Sequence, residues 1–223
     1  MLFIIDVDRT TIDLFERQMK PAHFSMLRAY RTADLFTLAN GAAGTGSIFA
    51  VISYVETPDH WRIYLAFCLV PLALLLDIAD GRIARRQNKH SLFGGELDSL
   101  ADIVSFGVAP AVLAYGLGMR RGLDVPILLI FVACGISRLA RYNITAAEIA
   151  AAGDKVKYFE GAPIPSSLLL VAVLAFCFHL NRVGDNFPLG VLEIASLRWH
   201  PLSLLYLLSG SAMISKTLRI PKL

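Results

Sequence analysis

Four aspartates, Asp77, Asp80, Asp98 and Asp102, stand within residues 77–102 at the edges of long apolar runs. Asp77 and Asp80 are three apart and Asp98 and Asp102 four apart, spacings that put each pair on one face of a helix. An aspartate carried to the centre of a membrane span costs about 2.5–3.5 kcal/mol, less near its end. Four of them also repel one another, and either protons or divalent cations must neutralise them. Every ligand offered is a hard oxygen and no Cys/His set stands beside it. The expected cofactor is therefore Mg2+ or Mn2+, and Ca2+ would also accept these ligands. Gly81 leaves a gap on the helix surface next to Asp80, and Ala84 keeps the following turn slim. Arg85 offers a guanidinium fork suited to phosphate. Gly94 and Gly95 are expected to loosen the entry to the second acidic helix. The set describes a metal-centred diphosphate site at a membrane surface.

The elements that must hold these residues are membrane spans. Hydrophobic residues make up 56% of the 223 and charged residues 17%, with a mean hydropathy of +0.58. A soluble domain of this length carries more charge and fewer continuous apolar stretches. Segments near 33–54, 62–82, 97–118, 125–146, 164–181 and 199–216 are apolar enough to cross, at about 20 residues per span. The expected fold is an all-α integral membrane protein of about six transmembrane helices, in which the helices bearing the two aspartate pairs run antiparallel. Residues 187–196 read as a shallow interfacial helix or a loop. In residues 11–31, Phe24, Leu27 and Tyr30 share a side flanked by Lys20, Arg28 and Arg31, which suits an N-terminal amphipathic helix lying in the interface. The chain divides into an N-terminal arm, 1–31, and a membrane domain, 32–223.

Orientation follows from the basic residues. Arg62, Arg120, Arg121, Arg182 and Arg198 fall on one side, and the rest of the 21 Lys and Arg on the other. That bias places both termini, and the aspartates, in the cytoplasm. A net charge of +3 without a basic cluster argues against nucleic acid as a partner. Cys68, Cys134 and Cys177 have unrelated spacing inside spans and read as buried hydrophobes. The start, MLFIIDVDRT, lacks the basic region of a cleaved signal peptide.

The pattern D-x2-D-G-x2-A-R-x8-G-x3-D-x3-D is complete here as Asp77, Asp80, Gly81, Ala84, Arg85, Gly94, Asp98 and Asp102. With it the chain resembles the CDP-alcohol phosphatidyltransferases. LDSLADIVSFGVAPA (97–111), ISRLARYN (136–143), YFEGAPIPSS (158–167) and MISKTLRIPK (213–222) resemble the branch that uses serine. Departures are the longer N-terminal arm, Ala162 where a bulkier Leu is common, and a slightly longer tail. The resemblance implies transfer of a phosphatidyl group from CDP-diacylglycerol, or of the ether-lipid group of CDP-archaeol, to L-serine, with release of CMP. It implies two ions held by Asp77, Asp80, Asp98 and Asp102, with Asp102 also the candidate general base. It also implies a homodimer among membrane phospholipids.

Several roles stay open at this level. Thr37 and Asn40 suit either the cytidine and ribose or hydrogen bonding between helices. Arg138 and Arg141 suit either serine's carboxylate or counter-charge to the aspartates. Asn143, Glu160 and Ser166 are candidates for serine's ammonium or for closing the pocket, and Lys155 and Lys157 for attracting anionic headgroups. Glycerol 3-phosphate or an inositol phosphate is the alternative acceptor. A non-catalytic cation channel would need carboxylates along a continuous path, whereas these sit at one end of their spans.

Overall fold

The computed structural model describes residues 32–86, 92–151, 158–194, 197–215 and 219–221. The expected interfacial helix at 11–31, and Lys155 and Lys157, lie outside them. In chain order come α1 (Thr32–Glu56), α2 (His60–Arg86) and α3 (Leu92–Asp102). A π-helical segment, Ile103–Val108, then leads into α4 (Ala109–Gly116), followed by α5 (Asp124–Ala151) and β1 (Tyr158–Glu160). The chain continues through α6 (Leu168–His179), β2 (Leu192–Ile194), β3 (Leu197–Trp199), α7 (Leu204–Ile214) and β4 (Arg219–Pro221).

Among the described residues, four helical stretches are long and apolar enough to cross a membrane: Thr32–Glu56, His60–Ile83, Phe93–Gly116 and Asp124–Thr145. The protein is an all-α integral membrane protein that passes through the bilayer several times. The last two expected spans appear as shorter apolar stretches, Ile164–His179 and Pro201–Ile214. Each opens with a 3-10 turn carrying a proline at its start, where the missing N–H leaves no intrahelical bond unmade.

Three details depart from the sequence expectation. Leu192–Ile194 and Leu197–Trp199 pair as antiparallel strands, Leu192 opposite Trp199 and Ile194 opposite Leu197, where an interfacial helix or a loop was expected over 187–196. A second small pair joins β1 to β4, with Tyr158 opposite Pro221. Gly94 and Gly95, expected at the entry to the second acidic helix, lie inside α3, which begins at Leu92. Both acidic helices therefore extend past their apolar runs, and only residues 87–91 separate them. Pro71 lies inside α2, which continues through it.

Small residues let the bundle close around α1. Its buried positions include Thr37, Asn40, Ala43, Gly44, Ser47 and Ala50. A Cβ added at Gly44 would fall 2.6 Å from the Cα of Ser105, so only glycine admits this approach. Ser47 donates to the Ala66 carbonyl of α2 at 3.0 Å. Such packing is how membrane helices associate when lipid supplies no hydrophobic drive.

The end of the bundle away from the aspartates is tied by Asp124, the first residue of α5. Asp124 accepts the backbone N–H of His200 at 2.8 Å and approaches His200 Nδ1 at 2.6 Å, both side chains wholly buried. It also accepts the backbone N–H of Arg121 at 3.1 Å. The starts of α5 and α7 are thereby joined.

Candidate active site

Asp77 and Asp80 occupy the last turns of α2, and Asp98 and Asp102 the second half of α3. One carboxylate oxygen each from Asp77, Asp98 and Asp102 comes within 4.8 Å of the others. Oxygens sharing one hard cation at about 2.0–2.6 Å lie no more than about 5 Å apart, so the three fit a single divalent ion. Oδ1 of Asp98 is buried with no hydrogen-bond partner. A buried acceptor without a donor is rare in a folded protein and accords with a position meant for a cation.

Asp80 stands outside this triplet. Its Oδ2 accepts the Thr37 hydroxyl at 2.6 Å. On the neighbouring turn of α1, Asn40 donates Nδ2 to Oδ1 of Asp102 at 3.1 Å. The Asn40 carbonyl in turn accepts the Ser105 hydroxyl at 2.9 Å. Thr37 and Asn40 thus hydrogen-bond between helices, and their partners are the aspartates themselves. Asn40 has no exposed surface, and its Oδ1 carries no partner.

The local backbone explains why Asp102 faces α1. Directly after Asp102 the helix widens into the π segment. Pro110 follows near the start of α4; it cannot donate to the carbonyl four residues back, and its ring would crowd that carbonyl in a regular α-helix. A wider turn upstream relieves both, and such π turns recur at functional sites. Gly107 faces the Ile103 side chain, with no room between them for a Cβ. Sequence inspection passed over Ser105. Its only signal is its place three residues after Asp102, which shares a helical face with it.

Arg138 of α5 is buried, 7% exposed, within electrostatic reach of Asp102. Its Nε has no partner, and its guanidinium carbon lies 6.0 Å from the Tyr142 ring centroid. Arg141 donates Nη1 to the Ile214 carbonyl at 3.4 Å, and its buried Nη2 has no partner. Asn143 is engaged by α3: its Oδ1 accepts the Ser99 hydroxyl at 3.1 Å and its Nδ2 donates to Glu96 at 3.3 Å. Arg85 is exposed, and a Cβ at Gly81 would meet only the Arg85 Nη1, at 3.8 Å. The guanidinium thus lies over an otherwise open patch of α2. Ser166 lines an apolar groove between α2 and α6. The side chains of Ala84 and Glu160 lie outside the described residues.

Comparison with known proteins gives the same pattern a wider setting. Residues 30–205 match the model of the CDP-alcohol phosphatidyltransferase family. A CDP-diacylglycerol–serine O-phosphatidyltransferase of Saccharomyces cerevisiae is 44% identical over 203 residues, covering 90% of this chain and 74% of its own. A protein of the same name from Methanocaldococcus jannaschii is 40% identical over 127 residues, 57% of each chain. An archaetidylserine synthase of Methanothermobacter thermautotrophicus is 31% identical over 172 residues, 74% of this chain and 68% of its own. The chain belongs to the CDP-alcohol phosphatidyltransferase family and, within it, to the CDP-diacylglycerol–serine O-phosphatidyltransferase branch.

Proposed function

We propose that the protein transfers the phosphatidyl group of CDP-diacylglycerol, or the equivalent group of CDP-archaeol, to the hydroxyl of L-serine. The serine oxygen forms a bond to the lipid-side phosphorus, the bond from that phosphorus to CMP breaks, and the hydroxyl proton leaves to a carboxylate. The observation that carries this reading is the convergence of Asp77, Asp98 and Asp102 on one point. The names of the relatives just given supply donor and acceptor.

Asp77, Asp98 and Asp102 would hold a Mg2+ or Mn2+ ion, and Asp80, oriented by Thr37, would serve a second. Such ions, when bound, polarise a diphosphate and offset charge on a departing phosphate. The chain's own residues do the rest. Asn40 fixes the rotation of the Asp102 carboxylate, so that it meets the serine hydroxyl in one orientation, as general base. Gly81 and Arg85 receive the diphosphate on an open helix face. Arg138 offers its guanidinium, whose Nε has no partner, to serine's carboxylate. Arg141 and Asn143, already engaged with the Ile214 carbonyl and with α3, enclose the acceptor pocket rather than reach into it.

We further read the two shorter apolar stretches as spans five and six, residues 1–31 as a cytoplasmic arm, and the protein as a homodimer. Both termini and the site would then face the cytoplasm, on the side richer in Lys and Arg. On the opposite side, Arg62 pairs with Asp59 and Arg121 with Asp185. A lipid donor keeps its chains in the bilayer while serine arrives from water, and a site at the helix ends serves both.

The test offers purified protein, CDP-diacylglycerol and Mn2+ with serine, glycerol 3-phosphate or inositol phosphate in parallel. Serine-dependent CMP release with formation of phosphatidylserine is expected. Turnover with a phosphorylated acceptor and none with serine would replace the acceptor.

A further inference from the structure

Ile164, wholly buried, opens the 3-10 turn before α6 and reaches the place where α5 meets the π segment. A Cβ added at Gly135 of α5 would fall 3.1 Å from its Cδ1, and one added at Gly107 of the π segment 3.9 Å from the same atom. The side chain therefore fills a notch between these two glycines. Cδ1 of Ile103 shares the notch, also 3.1 Å from a Cβ at Gly135. Gly107 follows Asp102 by five residues, one turn of a π-helix. Gly135 precedes Arg138 by three, which keeps the two on one face of α5. Ile164 thus stands between the two helices, one turn from Asp102 on one side and one turn from Arg138 on the other.

Neither of the helices it separates carries this wedge. Just before it the chain turns at Gly161, whose φ is +78°. A Cβ there would fall 3.0 Å from the carbonyl carbon of Met213 in α7, so only glycine lets the chain lie this close. Ala162 then donates its N–H to the Ala212 carbonyl at 3.0 Å. Pro163 takes an extended step into the turn, at φ −65° and ψ 146°. Ahead of Gly161, β1 is paired to β4. Ile164 is in effect a stop mounted on the last turns of α7, and its length sets the gap between α5 and the π segment.

We propose that Ile164 is a positioning residue for the transfer: it sets the separation of Asp102 and Arg138, and with it the span across which serine's hydroxyl and carboxylate are held. The role rests on the proposed function and adds what fixes the acceptor's place. Serine is short, and both of its ends must be met at once. A displacement of about 1 Å from the reacting geometry can cost about a hundredfold in rate.

Two substitutions alter the wedge in opposite senses. Ile164→Val removes Cδ1 and shortens it, whereas Gly135→Ala places a Cβ against that methyl and pushes it away from α5. Ile136→Val, the same small deletion at an exposed position of α5, is the control. Initial rates of CMP release are measured with serine and CDP-diacylglycerol varied in turn. I164V and G135A are each expected to raise the KM for serine about fivefold or more, with the KM for the donor within about twofold of wild type. I136V should change neither. Placed in the G135A background, I164V should lower the raised serine KM, although alone it raises it. A fall in kcat with both KM values unchanged would report lost packing only and overturn the role. So would a double variant whose serine KM is no lower than that of G135A. Should G135A not fold, I164V decides by itself, since it loses a single methyl group. Wild-type protein that releases no CMP with serine would instead remove the proposed function, and this role with it.

Discussion

Asn40 on α1 and Asp102 on α3 are joined by a hydrogen bond of 3.1 Å, although 62 residues separate them in the chain. The same asparagine receives the Ser105 hydroxyl on its backbone carbonyl, so α1 grips α3 on both sides of the start of the π segment. Groups that orient a metal-binding side chain typically contribute 10–100-fold to metal affinity or activity. Asn40→Ala is accordingly expected to lower kcat by about 10–100-fold and to raise the Mn2+ concentration needed for half-maximal activity. A titration of CMP release against Mn2+ reads both. Unchanged values in both would reduce this bond to ordinary helix packing.

Gly44 makes that grip possible, since any side chain there meets the backbone of Ser105. Gly44→Val would push α1 from α3 and carry Asn40 away from Asp102. Overpacking of this kind costs about 1–3 kcal/mol. The expected outcome is a lower unfolding temperature together with loss of turnover. A stable, fully active variant would show that α1 can retreat without cost to the site.

Arg138 carries a buried Nε without a partner, as Arg141 does at Nη2, and it is the one that packs toward Asp102. Arg138→Lys keeps the charge and loses the planar fork. A lost charge-assisted hydrogen bond is worth about 1.5–3 kcal/mol, so the KM for serine should rise about tenfold or more while the KM for the CDP-lipid changes little. Initial rates with each substrate varied in turn separate the two. A selective rise in the lipid KM would move Arg138 to the donor.

At the opposite end, Asp124 and His200 are in wholly buried contact, with α5 and the turn before α7 tied together by it. Leaving a buried hydrogen-bonding group without its partner costs about 1–3 kcal/mol. Asp124→Ala should lower the unfolding temperature markedly, while the protein that remains folded keeps its KM for serine. A shifted KM at unchanged stability would link this end to the site.

The aspartate motif was legible in the sequence because its spacing, three and four residues on two adjoining helices, is local. The four long spans were legible because uncharged apolar runs of that length are rare outside a bilayer. Their ends were not: α2 and α3 run past the apolar residues into the motif, so Gly94 and Gly95, expected at the entry to a helix, lie inside it. The β2–β3 hairpin escaped notice because Leu192–Ile194 and Leu197–Trp199 are too short for an alternating pattern to stand out. Thr37 and Asn40 were singled out as polar residues in an apolar helix, but their partners lie on other helices and no spacing reveals them. Asp124 and His200 illustrate the same limit, being 76 residues apart. Arg138 and Arg141 looked alike in sequence, and the bundle divides them by turning one toward Asp102 and the other toward the Ile214 carbonyl.

The most direct test replaces Asp98, whose buried Oδ1 has no donor, by asparagine, a side chain of the same shape without its charge. The measurement is serine-dependent release of CMP from CDP-diacylglycerol by the reconstituted protein across a series of Mn2+ concentrations. Wild type should require the ion and turn over. D98N, with an unfolding temperature near that of wild type, should release no CMP at any Mn2+ concentration. Turnover by D98N at the wild-type rate would contradict the claim that these carboxylates together hold the ion on which the transfer depends.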